Sequence, residues 1–79
     1  MNETTYNALL NQFESAHKLN LVTRFYHSEQ YFSVTFNENL HKKTINTVIK
    51  LVEYKYHTDV FVIIKDDHTI EIWNKGVAF

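Results

Sequence analysis

The side chains in this chain best suited to chemistry are its five histidines and the run Asp66-Asp67-His68. Imidazole and carboxylate are metal-ligand types, and a helical site presents them at spacings such as His-x-x-x-His. None of His17, His27, His41, His57 and His68 has such a neighbour. His17 and His57 read as helix-end residues, and His27 and His68 as hairpin-turn residues. Adjacent side chains in one tight turn do not converge on an ion, so neither metal nor other cofactor is expected.

Lys42 and Lys43, beside His41 at the start of a helical pattern, are a second candidate. Free amides at a helix N-terminus together with two ammonium groups can hold a phosphate. Cations oppose the helix dipole there, and a solvated helix face accounts for the same residues, so anion binding is the secondary reading.

Catalysis lacks its parts. Cysteine is absent, the one glycine cannot form a phosphate loop, and no serine sits in a nucleophile elbow. Glu14 and Glu53 fall on solvent-facing helix positions, where nothing raises a carboxyl pKa for acid–base work. The expectation is a protein that is not an enzyme.

The elements that position these residues follow from periodicity. Asn2 can cap a first helix with Glu3 in its first turn, and Tyr6, Leu9, Leu10, Phe13 and Ala16 recur at three- and four-residue spacing until the pattern fades around Lys18 to Asn20. Residues 21–26 and 31–36 read as a hairpin around His27-Ser28-Glu29-Gln30. Its core face pairs Leu21 with Phe36, Thr23 with Val34 and Phe25 with Phe32; Val22, Arg24, Tyr26, Tyr31, Ser33 and Thr35 take the other face. Asn37-Glu38-Asn39 offers caps for a second helix, whose stripe is Ile45, Val48, Ile49, Val52 and Tyr56 and whose solvated side includes Lys42, Lys43, Lys50 and Glu53.

Residues 59–73 read as a second hairpin. Register favours pairing Ile64 with Ile70, Val62 with Ile72 and Phe61 with Trp73 across the polar turn that contains Asp66 to His68. Val60 to Ile64 is apolar on both faces, which argues for cover on both sides and a central place in the sheet. The fold class expected is α+β: a two-layer αββαββ domain over residues 1–79, with a four-stranded antiparallel sheet and both helices on one face. Placing the strands at 60–64 and 21–26 side by side in the middle gives the strand order 2-1-3-4. The halves 2–36 and 40–74 share an αββ plan and align with Leu9 on Val48, Phe13 on Val52 and Leu21 on Val60 until the register slips after the turn, which either an internal duplication or amphipathic pattern alone produces.

Helices on one face leave the other to Tyr26, Tyr31, Phe61, Ile63 and Trp73, rimmed by Arg24, Lys65 and Glu71. Contiguous apolar surface of that kind marks an interface, and Trp, Tyr and Arg dominate binding hot spots. The alternative is that Val77-Ala78-Phe79 folds back over it. The functional expectation is a small non-catalytic protein-interaction module that binds a partner protein, or itself as a homodimer, through this face or an edge strand. The competing use is single-stranded nucleic acid stacked on the aromatics. Glu71 and a formal net charge of −1 oppose it, because phosphate neutralisation supplies most of such affinity.

No apolar run approaches the roughly 18 residues that span a bilayer, and Met1-Asn2-Glu3 does not open a signal peptide, so no membrane role and a cytoplasmic location are expected. One glycine, no proline and lysine used almost to the exclusion of arginine is a composition shared with products of AT-rich genomes, small phage and mobile-element genes among them. A regulator or inhibitor of that origin is the matching expectation.

Overall fold

The computed structural model describes residues 1–76. Helix α1 (Glu3–Lys18) begins where Asn2 Oδ1 accepts the Thr4 amide at 2.7 Å, with Glu3 in the first turn, so an orphan amide and the helix dipole are both satisfied. Its apolar stripe buries Leu9 and Phe13 and half-buries Tyr6, Leu10 and Ala16. The helix stops in a Schellman turn: Asn20 takes a φ of 60°, its amide donates to His17 O at 3.1 Å, and the Leu21 amide donates to Ala16 O at 2.9 Å. Asparagine tolerates the left-handed conformation better than most residues, which is why the chain turns there.

Helix α2 (Lys42–Tyr56) buries Ile45, Ile49, Val52 and Tyr56, with Val48 half-buried. Its cap corrects the expectation. His41 is the N-cap, its Nδ1 accepting the Lys43 amide at 3.1 Å. Asn37 is spent on the preceding turn instead, accepting from the Asn39 amide at 2.9 Å and donating to Asn20 O at 2.9 Å.

The strands are β1 (Val22–His27), β2 (Tyr31–Phe36), β3 (Val60–Ile64) and β4 (Thr69–Asn74), forming an antiparallel four-stranded sheet with both helices on one face. The strand order is β1-β2-β4-β3, not the expected 2-1-3-4. Each helix passes through a short turn into the strand beside it, so α1 lies on β1 and α2 on β3 at the two margins. The middle belongs to β2 and β4, where Phe32, Val34, Ile70 and Ile72 are fully buried. Strand β3 is thus an edge. Its continuous apolar character reflects α2 on one side and aromatic neighbours on the other, and it leaves Ile63 36% and Ile64 62% exposed.

The β3–β4 register is the expected one, with Phe61 opposite Trp73, Val62 opposite Ile72 and Ile64 opposite Ile70. In β1–β2 a bulge between Val22 and Arg24 overturns the expected pairs. The extra residue reverses the alternation, so Val22 is 1% exposed while Leu21 is 46% exposed and Thr23 lies in solvent. Phe25 then meets Val34, and His27 meets Phe32. A half-buried tie closes the helical layer: Thr5 Oγ1 donates to Asp59 Oδ2 at 2.6 Å, joining the start of α1 to the turn before β3.

Candidate functional site

The face of the sheet away from the helices is built in rows, because antiparallel partners project side chains to the same side. Tyr31, Trp73 and Phe61 form one row across β2, β4 and β3. The Tyr31 and Trp73 rings stack with centroids 4.4 Å apart and planes 9° apart. The next row runs Tyr26, Ser33, Glu71, Ile63, and the third Arg24, Thr35, Thr69 with Lys65 beyond the end of β3. Tyr26 leans on Tyr31 at 5.3 Å and is 54% exposed. All eight residues singled out from the sequence on this face, Arg24, Tyr26, Tyr31, Phe61, Ile63, Lys65, Glu71 and Trp73, come together on it.

Its electrostatics are local. The Trp73 indole Nε1 donates to Glu71 Oε1 at 3.0 Å, and Lys65 Nζ lies 4.0 Å from the same oxygen. Glu71 therefore places a negative charge in the middle of the face, balanced by Lys65 at one side and Arg24 at the other. Thr35 and Thr69 hydroxyls are 3.4 Å apart across the third row. The surface is amphipathic, apolar along the aromatic row and polar towards the β3–β4 turn. The C-terminal segment expected to compete for it, Val77 to Phe79, lies outside the described residues.

The other candidates have structural employment. Lys42 Nζ reaches Asp67 Oδ1 at 3.5 Å, and the Lys43 amide is taken by His41, so the α2 N-terminus already spends one of the amides an anion would use. His17 packs edge-on to Phe25 at 6.0 Å, His27 Nδ1 lies 2.6 Å from Tyr6 Oη, and His57 Nδ1 lies 3.1 Å from Tyr54 O. The His68 carbonyl accepts the Phe36 amide at 2.7 Å. The His68 amide in turn donates to Asp66 Oδ1 at 2.8 Å and holds that carboxyl below its ordinary value. Among the described residues no three His, Asp or Glu side chains are grouped to hold a metal ion, and no helix is long and apolar enough to cross a membrane.

A second apolar feature has no counterpart in the sequence reading. Between the end of α1 and the start of α2 runs a groove of about 330 Å³, lined by Phe13, Ala16, Leu19, Leu21, Leu40 and Val48. Leu51 and Tyr54 stand exposed further along α2. The signal was a second α2 stripe at Thr44, Val48, Leu51 and Lys55, flanking the core stripe at helical spacing.

Comparison with protein-family models, with curated proteins and with solved structures gives no match.

Proposed function

We propose that this chain is a non-catalytic protein-interaction module that docks on a partner protein through the sheet face away from its helices. The observation that carries this reading is the three-ring row Tyr31–Trp73–Phe61, continued by exposed Tyr26 and Ile63 in the adjoining row. Rigid aromatics on a sheet supply large contact area at small entropic cost, and Arg24 and Lys65 at its margins fit the polar rim usual in such a surface. The engagement of every histidine in caps, turns or ring packing supports a binding rather than a chemical role. The Glu71 carboxylate fixed beside Trp73 works against nucleic acid, since it repels the phosphates that stacked bases would bring.

The test is retention of a protein partner by the immobilised chain. Tyr26→Ser with Ile63→Ser should abolish retention while far-UV circular dichroism and melting temperature stay as in the wild type. Leu51→Ser, on the helical side, should leave retention intact. Retention that survives the double change, or Trp73 quenching by single-stranded oligonucleotide at low salt, would overturn the reading.

A further inference from the structure

The two edges of the sheet are not equivalent. Edge β1 carries a bulge between Val22 and Arg24, with Thr23, Arg24 and His27 exposed, the features with which proteins blunt an edge against pairing. Edge β3 has none of them. Val60-Phe61-Val62-Ile63-Ile64 contains no charge, its ladder with β4 is regular, and no strand lies beyond it among the described residues. We propose that β3 is a self-association edge, to which a second copy of this chain adds antiparallel about Val62. This concerns the outward backbone edge of β3 rather than the sheet face, and it stands without the docking reading, although the side chains of Phe61 and Ile63 belong to both surfaces.

Backbone parity fixes which residues would pair. Lys75 N donates to Asp59 O and Lys65 N to Thr69 O, each at 2.9 Å, so the odd-numbered residues turn their amides and carbonyls towards β4. By alternation those of Val60, Val62 and Ile64 point out of the sheet. An antiparallel copy centred on Val62 sets Val62 against Val62 and Val60 against Ile64, each an exchange of two hydrogen bonds. Ile64, the most exposed residue of the strand, meets Val60 of the second copy, and Ile63 meets its Phe61. The dyad stands perpendicular to the sheet, so all four helices fall on one side and the two aromatic rows on the other.

The helical layer selects the same register through charge. Ile45, Ile49, Val52 and Tyr56 face the sheet, and Thr44 and Val48 line the groove towards α1. At 100° per residue the opposite flank, overhanging the β3 edge, carries Asn46, Lys50 and Glu53. The Asp59 amide bonds to Tyr56 O, so the end of α2 is level with the start of β3. Two residues of strand, about 6.6 Å, correspond to about four or five residues of helix, which brings the point midway between Lys50 and Glu53 level with Val62. Two-fold rotation there faces Lys50 of each copy with Glu53 of the other. A partner of unrelated sequence would have to supply that charge pattern independently; a second copy supplies it by symmetry.

The experiment is solution mass by size exclusion with light scattering over about a hundredfold range of concentration. The wild type should pass from the mass of one chain to that of two. Ile64→Lys should weaken dimerisation about tenfold or more with circular dichroism unchanged, since it charges the edge without touching the docking face. Lys50→Glu should weaken it, and the exchange K50E with E53K should restore it. Because the chain has no cysteine, Val62→Cys should oxidise to a covalent dimer while Ile64→Cys, out of step with its own copy, should not. A wild type of single-chain mass at every concentration, or a dimer indifferent to Ile64→Lys, would overturn the proposal. So would a dimer in which Val62→Cys fails to cross-link. Tyr26→Ser alone, on β1 at the far side of the sheet, leaves this dimer whole and Ile64→Lys leaves the docking face whole, so these two single changes read the failures separately.

Discussion

The two hairpins of this molecule follow one plan and differ by one residue. In β3–β4 the pairing runs in step from Val60–Asn74 to Ile64–Ile70, and sequence alternation maps directly onto the two faces. In β1–β2 one extra residue sits between Val22 and Arg24, so Val22 enters the core and Leu21 is turned out. The same bulge that re-aims those side chains also makes β1 a poor template for another strand, whereas regular β3 remains a good one. A single inserted residue therefore decides which side chains enter the core and leaves β3 the more regular of the two edges.

The largest expected effect probes what the hairpins share. Phe32 and Ile72 are cross-strand partners at the centre of the sheet, both fully buried. Phe32→Ala should cost about 3–5 kcal/mol and Ile72→Ala about 2–5 kcal/mol in urea denaturation. Because the two touch, the double variant should lose less than the sum; strict additivity would mean two separate cores.

A sharper contrast lies within β1. Val22→Ala should cost about 1–3 kcal/mol and Leu21→Ala no more than about 0.5 kcal/mol. The reverse ranking would restore simple alternation and remove the bulge.

The connections into the hairpins should respond more weakly. Asn20→Gly should raise the unfolding free energy by about 0.5–1 kcal/mol, because glycine adopts the left-handed cap without strain. His41→Asp should gain about 0.5–1 kcal/mol by giving α2 a stronger cap of the right charge. Unchanged urea midpoints would show that these caps do not limit stability.

The smallest effect belongs to the β3–β4 turn. Asp66 has its folded pKa lowered below 3.8 by the His68 amide, so its contribution is complete above the unfolded value and is lost as pH falls through the folded one. Amide exchange at His68 should accelerate in that acid range relative to its intrinsic rate, and Asp66→Asn should flatten the dependence.

Much of the site was legible because its signals are local. Arg24, Tyr26, Tyr31, Phe61, Ile63, Lys65, Glu71 and Trp73 alternate with core residues at period two, and the β3–β4 register follows from matching Ile64 and Val62 to Ile70 and Ile72. The bulge was hidden because Leu21 and Val22 are equally apolar, and either phase of β1 gives an acceptable strand. His41 displaced the Asn37–Asn39 stretch as cap because Asn37 is held by Asn20, a contact between segments far apart in sequence.

The two amphipathic helices, the four strands, their antiparallel hairpins and the aromatic row could be read from residue spacing alone, since each rests on one stretch of chain. That β2 and β4 meet in the middle and that β3 is left at an edge came from the packing of the whole chain. Short turns lay each helix on the strand that follows it, which holds β1 and β3 at the margins beneath α1 and α2. The hairpins can then join only through their second strands, and that placement depends on how four separate segments pack rather than on the pattern within any one.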